Sequence, residues 1–458
     1  MRNTPRSAIA SLALALVMAA AAPASAGELR NQPGLTPFQQ SMAATIDSVC
    51  PRLVAAAATL NAVQTDLRLR CTEMRQTANA LQGSGATTFS LGLSNEQLAD
   101  ALGSLSPEEV ASQGRLSLEG GTNQARTIGA RLSALRGGAR GFSLGASRLE
   151  FPGNAIALAD LAQRLASDAP SAAVSSALGE RLGVFVNGRF TFGDKDATTR
   201  EQGFDFLSGG ATAGVDYRIT DNLVLGVALS YTYGRADINF DLSDVISHSA
   251  GLSVYGSYYI ENFYVDGHVG FEWNEYETIR RIAFANVDRT ATGKPSGQQY
   301  TANLGAGYDF RVKATTLTPY VRAEYVHIDV ESFTETGAVG FNLFIDEQDS
   351  DSFQSALGGR VAHSFSTRVG VIAPYLSAEW RHEFLNESRG VTAKFAVDPF
   401  NTFFVIPTDD PDRDYVALSV GVSAVFAKGM SGFVNYETSL GLRDVTQHAF
   451  TAGLRFEF

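Results

Sequence analysis

Three sets of residues in this 458-residue chain have types and spacings that could do chemistry. The first is Gly141-Phe-Ser143-Leu-Gly145, the spacing of a hydrolase nucleophile elbow, where the serine rides a sharp strand-to-helix turn. Here no apolar strand precedes it and no helix follows. All six histidines fall at or after residue 248, inside strand-like segments, so none is set to act as its base. The second set is Cys50 and Cys71, the only two cysteines. Two thiols with no nearby histidine are too few for a metal site and too far apart for a redox pair. The third is a series of charged residues of both signs among apolar strands. The chain offers no Gly-rich phosphate loop, no metal-spaced histidine cluster and no paired acids in a recognisable pocket. The reading is therefore no enzyme and no cofactor.

The elements that hold these residues divide near residue 180. Beyond it, segments of about ten residues alternate apolar with small or polar side chains and are separated by Gly, Asp, Asn and Thr turns. Between Asn222 and Gly234, Leu223, Leu225, Val227, Leu229, Tyr231 and Tyr233 share one face, opposite Gly226, Ala228, Ser230 and Thr232. Segments of this kind start near Arg181, Phe204, Asn222, Ser249, Asn262, Gln298, Thr316, Ser352, Val369, Asp414, Ser431 and Thr446. Twelve is an even number, as a membrane barrel with both ends on one side requires. A soluble sandwich would turn its polar face outward and leave the aromatic residues beside the turns unexplained. Tight turns at Asp221-Asn222 and Glu261-Asn262 suit the periplasmic side, and Arg281–Gly297, Phe333–Ser350 and Leu385–Asp412 suit long extracellular loops. The expected fold is an all-β transmembrane barrel of twelve antiparallel strands over 181–458, preceded by a small α-helical region. Its final strand sets Phe450, Leu454, Phe456 and Phe458 on the lipid face.

The first 26 residues have the form of a secretory signal: Arg2 and Arg6, an apolar run from Ile9 to Ala22, then Ala24-Ser25-Ala26 as cleavage site. Its removal leaves 34 basic residues against 48 acidic, a net charge of −14, which excludes a nucleic-acid partner. Residues 27–120 carry helical spacing and caps. Thr36-Pro37-Phe38-Gln39 reads as a capping box with Pro at the first helical position. Ser94-Asn-Glu-Gln97 and Ser106-Pro-Glu-Glu109 read as two more. The two cysteines lie evenly about Leu60-Asn61, so a helical hairpin reversing there brings them together. In an oxidising periplasm they form a disulfide worth about 3 kcal/mol.

Arg181–Gly193, Gly203-Phe-Asp205, Thr212–Arg218, Asp221–Gly226 and Asn262–Asp266, with the terminal Phe458, resemble the translocator domain of type V autotransporters. The resemblance implies a twelve-stranded outer-membrane barrel with a helix in its lumen and an exported passenger. It also implies that the barrel-assembly machinery reads the terminal strand, and that outer-membrane lipid and periplasmic chaperones are partners. Only about 150 residues precede the barrel, and they carry neither the Gly-Asp-Ser-Leu block of lipase-type passengers nor an Asn-Asn self-cleavage pair. Two functions stay open. The chain displays a short helical passenger, with a host or cell-surface ligand that the residues do not name, or it is a structural or pore-like barrel whose N-terminal region plugs or anchors it from the periplasm.

A barrel of twelve strands is too wide to be filled by its own side chains alone and has room for one helix. Within the linker 121–180, Thr122–Arg136 and Ala155–Ala166 compete for the place. The first would set Arg126, Arg131 and Arg136 against the inward acids Asp216, Asp266 and Glu324; the second carries only Arg164 as a cation but needs a shorter connection.

Overall fold

A computed structural model describes residues 28–136, 181–238, 243–368, 370–385, 390–426 and 430–457. The signal segment, Gly141–Gly145, Ala155–Ala166 and Phe458 lie outside the described residues. Among those described, twelve long antiparallel strands close into a barrel. They are β1 (Leu182–Lys195), β2 (Phe204–Arg218), β3 (Leu223–Ile238), β4 (Ser243–Ile260), β5 (Phe263–Phe284) and β6 (Ser296–Tyr308). β7 (Thr315–Val330), β8 (Gln348–His363), β9 (Gly370–Glu383), β10 (Asp414–Phe426), β11 (Met430–Leu440) and β12 (Val445–Glu457) complete the ring. Each strand pairs with its sequence neighbours, and β1 pairs with β12 from Gly183 opposite Glu457 to Lys195 opposite Val445, which removes the last free edge.

Alternation decides which face meets lipid. On β3, Leu225, Val227, Leu229 and Tyr231 are exposed on the outside, while Val224 and Ala228 are buried inside. Ten of the twelve strand starts fall within two residues of expectation; β4 and β8 begin six and four residues earlier than Ser249 and Ser352. The reason is local. At the start of β8 the outward residues are Asp349 and Asp351, because the strand there has left the apolar layer and the sequence alternation has ended. Inside the wall, rings of one strand lie over glycines of the next. Tyr255 covers Gly226 and Phe185 covers Gly214, where an added Cβ would sit 2.4 and 2.5 Å from the ring.

Short turns, including Glu261 at φ +52°, lie at the end where β1 begins and β12 stops. The opposite end, the mouth, carries the long connections, and these are not irregular loops. β5 continues to Phe284 and pairs with Val287–Gly293. Phe333–Thr334, Leu343–Ile345, Gly390–Phe395 and Phe404–Pro407 form a second, four-stranded sheet above the mouth.

The N-terminal helices sit on that sheet. α1 (Pro37–Ala55) opens with the Thr36–Gln39 capping box, and α2 (Ala62–Asn79) opens with Asn61 as N-cap. α3 (Asn95–Leu105) opens with the Ser94–Gln97 box. Cys50 and Cys71 are disulfide-bonded across the α1–α2 hairpin, with Cα atoms 5.8 Å apart and both side chains buried. Met42, Ile46, Leu53, Leu67 and Met74 share one core with Ile282, Phe284, Leu343, Ile345, Val391 and Phe395 from the mouth. The helical region and the barrel therefore fold against each other; they are not the separate units that the composition break suggests. Cys50→Ser is expected to cost the helices about 3 kcal/mol and to raise proteolysis in 28–105, while the wall keeps its heat-dependent gel mobility. A protease pattern equal to wild type would contradict this.

The Ser106 box does not form. Ser106 closes α3, and its hydroxyl donates back to the Leu102 carbonyl at 3.1 Å. The next helix, α4 (Glu109–Arg136), is one continuous 28-residue element, so the expected boundary at 120/121 falls inside it. At about 1.5 Å per residue it is roughly 42 Å long, enough to run from the mouth through the lumen.

Candidate functional site: the occupied lumen

α4 is seated off-centre, against β2–β5 with lesser contact to β1, β6 and β7. Its apolar residues fix two levels. Leu116 packs on Phe204, Phe206, Ala236 and Val245 near the mouth. Ile128 and Leu132 pack on Phe185, Val224, Ala228 and Tyr255 lower down. Between them the contacts are polar. Gln124 Nε2 donates to Ser230 Oγ at 3.0 Å, Thr127 and Thr212 hydroxyls lie 2.9 Å apart, and Asn187 Nδ2 donates to the Thr127 carbonyl at 2.9 Å.

Gln124 fits because two facing wall residues have no side chain. A Cβ at Gly251 would come 2.6 Å from Gln124 Nε2, and one at Gly270 would come 2.3 Å from its Oε1. Gly270→Ala is expected to cost about 1–3 kcal/mol by overpacking and to loosen the helix, read as a lower temperature for the gel-mobility shift of the folded barrel. An unchanged transition would show that the notch is not needed.

The arginines of α4 divide between two walls. Arg126 and Arg131 are five residues apart, about 7.5 Å along the axis and 140° around it, so they cannot face the same strand. Arg131, 2% exposed, pairs with Asp216: Nε donates to Oδ2 at 2.6 Å, and Nη2 lies 2.5 Å from the same oxygen. Tyr255 donates to that oxygen at 3.0 Å, and the Phe185 ring lies 5.3 Å from the guanidinium carbon.

Arg126 meets neither Asp266 nor Glu324 in a direct pair. It lies 3.4 Å from Glu379 and 4.0 Å from Glu437. These two acids are held by a lattice: Arg381 and Arg322 reach Glu379 at 2.6 and 2.7 Å, and Arg189 reaches Glu437 at 3.2 Å. Asp266 accepts from Ser257 Oγ at 2.6 Å; Glu324 accepts from Asn303 Nδ2 at 3.1 Å. The Arg136 side chain lies outside the described residues. Arg189 and Glu437 were not among the expected site residues. Their parity within β1 and β11 gives the signal: each falls on the face opposite the exposed Phe190 and Val434.

On the terminal strand, Phe450 is exposed on the outer face and stacks on Phe192 with ring centroids 6.3 Å apart. Leu454 follows on the same parity, and Phe456 stands opposite Val184 of β1.

A family model described as the autotransporter beta-domain matches residues 184–437, more than half of the chain. Outer membrane protein A of Rickettsia conorii is 27% identical over 52% of this chain and 12% of its own length. Esterase EstA of Pseudomonas aeruginosa is 24% identical over 60% of this chain and 42% of its own length, and Lipase 1 of Photorhabdus luminescens is 25% identical over 53% and 37%. The chain thus spans less than half the length of these relatives. The translocator domain of the Neisseria meningitidis autotransporter NalP aligns over 66% of this chain and 95% of that domain, with 15% identity and a TM-score of 0.49. With its β-domain matched over this length, the chain belongs to the autotransporter family, and its barrel is an outer-membrane barrel of a Gram-negative bacterium.

Proposed function

We propose that this barrel displays the helical module, residues 28–105, at the cell surface and keeps it attached. The observation that carries the reading is the course of α4. The module is packed on the mouth, opposite the barrel's chain ends, and α4 leads from it down the lumen to Asp216 near the end where β1 begins. A chain assembled from the periplasmic side reaches that arrangement by passing its N-terminal part through the barrel. The terminal strand ending in Phe458 is the feature for the barrel-assembly machinery to read, with periplasmic chaperones holding the chain beforehand. The module's role in this reading is binding, not catalysis. The esterase and lipase names belong to relatives matched over less than half their length.

The test is surface labelling and protease treatment of intact cells. Labelling of a cysteine placed at the exposed Thr59 by an impermeant reagent supports display, as does cleavage within 28–105 once the mouth contacts are weakened. Complete protection from the impermeant reagent in intact cells, with labelling after outer-membrane disruption, would favour the periplasmic plug instead. The arrangement seats the module on the mouth through buried contacts, so it should resist release by high salt.

A further inference from the structure

Because α4 leans chiefly on β2–β5, the described residues leave the opposite side of the lumen open. A cavity of about 680 Å³ runs beside the helix from Arg126 towards Ser364 and Val371 at the end of the barrel where the chain ends lie. Its wall holds buried hydrogen-bonding groups that have no hydrogen-bond partner among the described residues. His268 is 5% exposed, and its Nε2 has no hydrogen-bond partner among the described residues. The buried Nε atoms of Arg322 and Arg126 likewise make no hydrogen bond among the described residues; the other nitrogens contact Glu379, and Arg322 Nε lies 3.7 Å from Glu324, beyond hydrogen-bond reach. Arg360 lies flat on Tyr375, 3.8 Å from the ring centroid, and Tyr375 donates to Asn435 Oδ1 at 3.1 Å.

Buried polar groups are ordinarily satisfied. Two of these unfilled groups are guanidinium N–H donors, so the missing partner is an acceptor, and beside cations the best acceptor is an oxyanion. We propose that this vestibule is a binding site for a small oxyanion-bearing solute, a phosphate or a carboxylate, taken from the side of the barrel on which its chain ends lie. Arg322 and His268 would hold the anion, Arg126 would close the site from the helix, and Arg360 would stand on the approach. The site belongs to the barrel wall and is independent of what the module does.

Histidine provides the readout. Of the six, only His268 faces the lumen; His248, His327, His363, His382 and His448 lie on the outer parity of their strands. Full-length chain labelled with ¹⁵N-histidine, folded in detergent micelles, is titrated with inorganic phosphate and separately with acetate, with chloride holding ionic strength constant. The signal absent from His268→Gln should move saturably while the other five stay still. Arg322→Gln and Arg360→Gln should each weaken the response about tenfold. Glu379 keeps Arg126 and Arg381 in the first of these, and gel mobility confirms that both variants are folded. The stronger of the two anions identifies the class. A shift of His268 that is linear, reproduced by chloride alone, or unchanged in both arginine variants would overturn the proposal.

Discussion

Asp216→Ala should unseat the lower half of α4. The substitution leaves the buried Arg131 guanidinium beside Phe185 and Tyr255 without its Asp216 counter-charge, and it takes the nearer acceptor from the Tyr255 hydroxyl, leaving the Val215 carbonyl at 3.4 Å. Breaking one partner out of a buried ion pair costs about 3–5 kcal/mol. The expected readouts are a lower temperature for the gel-mobility transition and a rise in single-channel conductance in planar bilayers. Deleting residues 115–140 should give the upper limit of that rise. Arg131→Met with Asp216→Leu should recover most of the loss, since two apolar side chains of similar volume replace two charges. If Asp216→Ala keeps both the wild-type transition and the wild-type conductance, the pair does not seat the helix.

Arg280→Ala should free the module from the mouth and leave the wall intact. Arg280 lies on the part of β5 that rises above the barrel and is 1% exposed. Its Nε and Nη2 donate to Glu335 at 3.0 and 2.5 Å. Nη1 donates to the Ser104 and Leu105 carbonyls at 3.1 Å each, and Nη2 also donates to the Phe341 carbonyl at 3.0 Å. One guanidinium thus closes the C-terminus of α3, the mouth sheet and the start of α4, where Glu109 lies 3.7 Å away. Its removal leaves buried Glu335 without its cation, held still by the Leu343 N–H at 2.7 Å, and takes a donor from three interior carbonyls, with an expected cost of about 3–5 kcal/mol. Proteolysis near 106–109 should rise several-fold, with the gel-mobility shift of the barrel retained. Arg280→Lys should not rescue, because an ammonium cannot reach four acceptors with the geometry of a fork. Protease resistance equal to wild type in Arg280→Ala would refute the clamp.

The barrel was legible in the chain because lipid outside and polar lumen inside impose a period of two on every strand. That pattern located β1, β5 and β10 to within a residue, and it ran out at Asp244 and Asp349, where strands rise beyond lipid and both faces become polar. The helical hairpin was legible for a different reason: capping chemistry at Thr36 and Ser94 is local, and a midpoint between two cysteines is a matter of counting, whereas the cap at Asn61 came from the structure. The pairing of Arg126 was not legible, since the rotation of α4 about its axis is set by Gln124 in the Gly251–Gly270 notch and by Ile128 against Phe185. Nor was the clamp at Arg280, whose partners lie 55 and 176 residues away. Short-range sequence determined that there is a barrel, a stapled hairpin and a helix fit for the lumen. Only the tertiary structure decided that the hairpin shares its core with the mouth and which wall the helix leans on. Those choices depend on contacts between segments far apart in sequence, and no local period records them.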